Sequence, residues 1–219
     1  MTDAGPVETW VFDLDNTLYP PECNLFDQID QRMGEFIKNL LNVDYAEARR
    51  LQKQYFVDYG TTLRGLMDRH NVAPDDFLHH VHDIDVSPVP PNPRLGALLA
   101  RLPGRKLVYT NGTEPHAERV LARLGVTDQF DGVFDIAAGD FVPKPQPAPY
   151  AQFMDRFSVD PRRAVMVEDM ARNLKPAAAL GMTTVWLRTC YQWGSVHVDE
   201  DAVHHQVDDL MTWLEDLAG

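Results

Sequence analysis

Five short apolar runs punctuate the chain: Thr9 to Asp13, Lys106 to Thr110, Gly132 to Ile136, Ala164 to Asp169 and Thr183 to Leu187. Near-continuous apolar runs of this length fit strands of a parallel sheet covered on both faces, since neither face then needs polar side chains. Between the runs the apolar spacing is helical. Glu114 to Leu124 sets Val120, Leu121 and Leu124 on one face, with Thr113 as N-cap and Gly125 as the stop. Leu174 to Leu180 ends the same way at Gly181. Strands alternating with helices predict a doubly wound α/β fold, in which ligands sit beyond the carboxyl ends of the strands. Three runs finish there on residues with chemistry to offer: Asp13, Thr110 and Glu168-Asp169.

Residues 20–92 break this rhythm. Leu25, Phe26, Ile29, Met33, Phe36, Ile37 and Leu40 repeat at helical spacing. Asp44 with Glu47 resembles a capping box opening a second helix through Leu51 and Tyr55. Leu63, Leu66 and Met67 suggest a third helix, and Phe77, Leu78 and Val81 a fourth. The division expected is a Rossmann-like catalytic core over 1–19 and 93–219, with a helical cap over 20–92 inserted after the first strand. Prolines at 20, 21, 88, 90, 91 and 93 bracket the insert and favour extended, semi-rigid connections, which suit a hinge.

Bulk composition narrows the partners. The chain has 219 residues, 44% hydrophobic and 24% charged, as an ordinary globular protein does. A formal net charge of −13 and a pI of about 4.9 argue against a nucleic acid polymer, which this surface would repel. They leave room for a small phosphorylated metabolite, whose binding is decided by local cations. Cys23 and Cys190 lie far apart with no CxxC pattern, which favours free thiols. Met1 to Glu8 lacks a basic-then-apolar leader and no run approaches the length of a membrane span, so a cytoplasmic protein without a membrane partner is expected. The oligomeric state is left open.

The polar strand ends supply the parts of a phosphoryl-transfer site. Asp13 is the candidate nucleophile. Asp15, two residues on, is the candidate acid and base, protonating the leaving alcohol and later deprotonating water. Thr110, Asn111 and Gly112 offer hydroxyl, amide and backbone donors to phosphate oxygens. Lys144, flanked by Pro143 and Pro145, is the candidate cation joining nucleophile and phosphate, the plainer reading being a solvated lysine in a Pro-rich loop. Four carboxylates near one point repel one another, and Mg2+ relieves that. The ligands expected are the carboxylates of Asp13 and Asp169 and the carbonyl of Asp15, with Glu168 behind them or bridged by water. Asn173 lies one helical turn beyond Asp169, a distance suited to orienting it. His79, His80 and His82, with Asp83 and Asp85 nearby and with His197, His204 and His205, lack the spacing of a zinc site and read as a solvated polar face.

Taken jointly, DxDxT at 13–17, T-N-G at 110–112, K-P at 144–145 and the run from Glu168-Asp169 to Ala177 resemble the haloacid dehalogenase-like hydrolase superfamily, subfamily I. The helical insert is similar to its C1 cap. Phe12 to Pro20 and Tyr59 to Leu66 further resemble the pyrimidine 5′-nucleotidase branch, which implies release of phosphate from UMP- or CMP-like nucleoside monophosphates. On that resemblance Arg64 would pair with phosphate or a base carbonyl, and Tyr19 and Tyr59 would flank a base. Glu168-Asp169 departs from the Asp-Asp common in the branch. The alternatives are a broad sugar-phosphate phosphatase, a phosphomutase, a dehalogenase, which would need no proton from Asp15, and a receiver-type phospho-acceptor module, which would need neither Asp15 nor the insert.

Overall fold

The computed structural model describes residues 5–191 and 193–218. Its strands are β1 (Thr9–Phe12), β2 (Arg105–Tyr109), β3 (Gly132–Phe134), β4 (Ala164–Glu168), β5 (Thr183–Leu187) and β6 (His205–Val207). They form one parallel sheet in the order β3-β2-β1-β4-β5-β6. This is the doubly wound, Rossmann-like order expected, and the direction of winding reverses between β1 and β4. Register places Phe12, the last residue of β1, level with Val108 and Val167, so the chain leaving β1 emerges beside the ends of β2 and β4.

The helices are α1 (Leu25–Leu41), α2 (Tyr45–Tyr59), α3 (Thr62–His70), α4 (Pro74–His82), α5 (Pro93–Arg101), α6 (Glu114–Leu124), α7 (Pro147–Phe157), α8 (Leu174–Leu180) and α9 (Leu210–Ala218). Alternation along β1 divides the core. Trp10 and Phe12 pack with Leu99 of α5, Val120 of α6 and Leu214 of α9. Val11 points to the other face, with Tyr150 and Phe153 of α7 and Ala177 of α8. α6 forms where the sequence places it: the Thr113 hydroxyl accepts from the His116 N–H, and Gly125 closes the helix in the left-handed region.

α5, α7, α9 and β6 lie outside the sequence expectations. α5 and α7 begin on Pro93 and Pro147, in stretches rich in proline, yet at the first helical position proline loses no hydrogen bond and its ring presets the backbone. β6 spans three residues, two of them exposed, which leaves no apolar alternation to detect.

Helices α1 to α4 form a block with its own apolar cluster, which includes Ile29, Ile37, Tyr55, Leu63, Leu66 and Phe77. Asp44 caps α2 by accepting from the Glu47 N–H at 2.8 Å. The second half of the expected capping box does not form: the Glu47 carboxylate turns to Arg50, an ion pair along the helix surface. Asp30 of α1 ties the block together, taking hydrogen bonds from Gln52 and Lys53 at 2.7 Å each and from Arg49. α2 and α3 meet closely at Gly65, where a Cβ would stand 2.5 Å from Tyr55 Cβ.

Candidate active site

Beyond Phe12 the backbone keeps to β4 for one more residue, the Asp13 N–H donating to Val167 O at 2.9 Å. It then turns, with Asn16 at φ 62° and the amides of Thr17 and Leu18 both reaching Leu14 O. The turn brings the Thr17 hydroxyl back to Asp13 Oδ2 at 3.0 Å. Asp13 Oδ1 accepts from Lys144 Nζ at 2.7 Å, and the same ammonium donates to Glu168 Oε2 at 2.7 Å and Tyr109 O at 2.9 Å. Lys144 is 1% exposed. The solvated-lysine reading is therefore corrected, because two buried carboxylates and a carbonyl replace water around the charge.

Burial, with the Glu168 charge adding to it, pushes the Asp13 carboxyl up to about 7 despite Lys144. Burial and the charges of Glu168 and Asp13 push Asp169 well above the usual carboxylate range. Burial works against the Lys144 ammonium, but its two carboxylate partners hold it above its ordinary value. The cluster is short of positive charge. Oxygens of Asp13, Glu168 and Asp169 lie within 4.8 Å of one another, and buried Asp169 Oδ2 has no hydrogen-bond partner among the described residues. An orphaned carboxylate oxygen in an electron-rich, all-oxygen set fits a hard divalent cation such as Mg2+. Glu168 is committed elsewhere, Oε2 to Lys144 and Oε1 to the Met170 N–H. Asn173 is buried nearby with its own Oδ1 unpartnered.

The turn gives Asp15 partners of its own. Its Oδ1 accepts from the Tyr19 hydroxyl at 2.5 Å and meets His116 Nε2 at 2.9 Å. Burial works to raise the carboxyl, but His116, by charge and by hydrogen bond, and the Tyr19 hydroxyl bring it below the usual range. His116 was not foreseen. Its signal was a polar residue at 116 on the same helical face as Val120, in the first turn after a strand end. His82 does not belong to a solvated face. It stacks on His116 with ring centroids 4.7 Å apart, and burial and the adjacent His116 lower it to about 3, which keeps it neutral.

Thr110, Asn111 and Gly112 lie just past the end of β2 at the pocket edge. Thr110 Oγ1 accepts from the Gly112 N–H at 2.9 Å, which leaves the hydroxyl hydrogen to give. The Asn111 side chain is spent on the Lys144 backbone, accepting from its N–H at 2.9 Å and donating to its carbonyl at 3.3 Å, so it anchors the lysine loop instead of offering its amide to a phosphate. Gly112 leaves little room for a side chain: a Cβ there would lie 3.2 Å from Thr110 Oγ1 and 3.4 Å from the His116 ring.

All these strand ends open on one pocket, roofed by α1, α2 and α4. Its outer wall carries Phe26, Phe56, Tyr191 and Trp193, with Asp30, Gln52 and Lys53 between them. Phe26 meets Tyr191 and Phe56 meets Trp193 edge to face, so each aromatic pair spans from the block to the core. The residues expected to read a base lie elsewhere. Tyr19 is 2% exposed with its hydroxyl on Asp15, so it has no free face for a base. Arg64 pairs with Asp68 one turn along α3, and with Tyr59 it borders a separate open cleft. Cys23 and Cys190 are both free thiols. No helix among the described residues is long and apolar enough to cross a membrane.

The family description of haloacid dehalogenase-like hydrolases matches residues 7–181. Phosphate metabolism protein 8 of Saccharomyces cerevisiae is 29% identical over 90% of this chain and 67% of its own length. A phosphoglycolate phosphatase of Rhodospirillum rubrum is 29% identical over 80% of this chain and 77% of its own. Among solved structures, a phosphatase from Thermococcus onnurineus superposes with a TM-score of 0.65 at 19% identity, covering 97% of this chain and 98% of that one. CbbY from Rhodobacter sphaeroides, solved with phosphate, also gives 0.65, at 20% identity over 93% and 94%. The L-2-haloacid dehalogenase of Xanthobacter autotrophicus gives 0.59 at 16% identity over 97% and 99%. At these identities the structural likeness concerns the fold.

Proposed function

The chain belongs to the haloacid dehalogenase-like hydrolases, and from that premise we propose that it is a Mg2+-dependent phosphomonoesterase that carries the phosphoryl group on Asp13. The observation behind this reading is the buried cluster itself: a carboxylate aimed by Lys144 and Thr17, beside an Asp169 oxygen that no described residue satisfies. The carboxylates of Asp13 and Asp169 and the carbonyl of Asp15 would hold Mg2+, which when bound supplies the positive charge that offsets charge on the phosphoryl oxygens.

The residues of the chain do the rest. Lys144 opposes the rise that burial imposes on Asp13 and so favours the ionised nucleophile. Asp13 attacks phosphorus, an O–P bond forms, and the bond to the departing oxygen breaks. The Thr110 hydroxyl donates to a phosphoryl oxygen. Asp15 gives its proton to the leaving alcohol. The phosphoryl dianion entering beside it raises its affinity for that proton, which offsets the lowering by His116 and Tyr19. Asp15, now ionised, takes a proton from water, which attacks phosphorus and returns Asp13 as a free carboxylate. A halide leaves without a proton, so dehalogenation would give Asp15 no task.

The alcohol that leaves would lie against the outer wall. The aromatic rings of that wall suit a flat heterocycle, which supports a nucleoside monophosphate of the UMP or CMP kind, while Asp30, Gln52 and Lys53 between them are bonded to one another and hold the wall's shape. The helical block serves as a cap, residues 20–92 over a core of 1–19 and 93–219. A second reading, a smaller sugar phosphate or phosphorylated acid, is supported by the phosphoglycolate phosphatase among the relatives. Phosphate release from UMP, CMP, AMP, glucose phosphates and phosphoglycolate, with Mg2+ and with chelator, tests both. Fastest release from UMP or CMP, lost in chelator and in Asp13→Asn, is the expected result. Equal rates across the panel would remove the nucleotide preference, and full activity in chelator would remove the metal.

A further inference from the structure

The two oxygens of Asp15 are not equivalent. Tyr19 and His116 both bond Oδ1, at 2.5 and 2.9 Å, and neither makes a hydrogen bond to Oδ2. Both partners are buried, Tyr19 at 2% exposed and His116 at 0%, whereas the Asp15 side chain keeps 16% exposure and borders the pocket. The partners come from separate elements, the turn after β1 and the first turn of α6, so no single local motif imposes their meeting. Packing alone does not account for His116. Among the described residues its buried Nδ1 has no hydrogen-bond partner, a cost that an apolar side chain of similar size would avoid, and the one hydrogen bond of its ring goes to Asp15. His82, from the helical block, lies over the ring and holds it in place, its Nδ1 donating to Leu78 O at 3.1 Å.

We infer that Tyr19 and His116 are positioning residues for Asp15: by pinning Oδ1 they turn Oδ2 to the departing oxygen and make it the atom through which the proton passes in both directions. The inference rests on the phosphomonoesterase reading. In the first step the P–O bond to the alcohol breaks, its electron pair stays on the alcohol oxygen, and the proton on Oδ2 moves there. In the second step water bonds phosphorus, the Asp13–phosphorus bond breaks with its electron pair returning to the carboxylate, and Oδ2 takes the proton from water. The atoms balance to alcohol and inorganic phosphate, with Asp15 restored.

A leaving group that is stable as an anion does not need that first proton, and this gives the test. Single-turnover release of the alcohol from an alkyl phosphate is compared with release of 4-nitrophenol from 4-nitrophenyl phosphate, both with Mg2+, in wild type, Tyr19→Phe, His116→Leu and His116→Gln. Tyr19→Phe keeps the ring and loses only the hydroxyl. General acid assistance carries about 10²–10⁴ in rate, and misaiming it should forfeit about one factor of ten of that. Alcohol release should therefore slow about ten-fold more than 4-nitrophenol release in Tyr19→Phe and His116→Leu, with His116→Gln, whose amide can reach Oδ1, recovering most of the loss. Equal slowing of both esters, as a merely structural role would give, or unchanged alcohol release, overturns the inference. Wild type that cleaves neither ester refutes the phosphatase reading instead, and the inference falls with it.

Discussion

Replacing Lys144 by Met removes the ammonium that Asp13 and Glu168 share while keeping most of the apolar stem. Each carboxylate loses a partner at 2.7 Å in a site where the residues concerned are 6% and 1% exposed. Breaking a buried ion pair from one side costs about 3–5 kcal/mol. For a chain of 219 residues each kcal/mol moves Tm by about 2–4 °C, so the variant should melt about 6–20 °C below wild type. The measurement belongs in chelator, by circular dichroism, so that no cation substitutes for the ammonium. The loss has a sign in pH. Asp13 already stands at about 7 in the folded protein because of burial, and without Lys144 it rises further. A carboxyl raised on folding holds its proton in the native state and releases it on unfolding, so stability falls as pH climbs toward the folded value. Wild type stops losing stability by this route at about pH 7, whereas the variant continues, so the gap widens above that pH. A variant melting within about 2 °C of wild type, or a gap that does not change with pH, would refute the reasoning.

Asp30→Asn should destabilise by about 1.5–3 kcal/mol at neutral pH, the worth of hydrogen bonds to charged partners, because Arg49 and Lys53 lose the carboxylate they share. Burial works to raise Asp30 but those two cations bring it below the usual range, so its contribution is present above that range and disappears as pH falls through the lowered value; urea midpoints that stay apart in acid would contradict this. Gly65→Ala should cost about 1–3 kcal/mol of stability by overpacking, since its Cβ would meet Tyr55 at 2.5 Å, whereas Gly96→Ala in α5 meets nothing nearer than 3.7 Å and should stabilise by about 0.4–1 kcal/mol. A Gly65→Ala variant that melts at or above wild type would show that the close approach of α2 and α3 is not a constraint, and a Gly96→Ala variant that melts below wild type would contradict the second expectation.

The residues alone were legible along a physical divide. The strands that carry the site could be read because they are buried on both faces and end on carboxylates or a hydroxyl, and Asp13, Thr110, Lys144, Glu168 and Asp169 meet at the switch point accordingly. α5 and α7 were missed because proline both breaks helices and begins them, and the outcome depends on whether the residues downstream can bury an apolar face. The second layer of the site was missed for a different reason. The bond between His116 and Asp15 joins residues 101 positions apart, and no local periodicity encodes such a contact. Tyr19 illustrates the same limit: the resemblance to the nucleotidase branch implied a ring beside a base, whereas the turn at Asn16 directs its hydroxyl to Asp15. The residues bordering the outer wall of the pocket come from α1, from α2 and from the stretch that holds Tyr191 and Trp193, and these share no motif.

The central claim is that Asp13 carries phosphorus. Enzyme mixed with a phosphate monoester and Mg2+, quenched in acid within one turnover and digested, should yield the peptide containing residue 13 heavier by one phosphoryl group, with the added mass mapping to Asp13 and absent from Asp13→Asn. Turnover of the ester with no phosphorylated peptide at any quench time, or with the phosphoryl group on another residue, would contradict it.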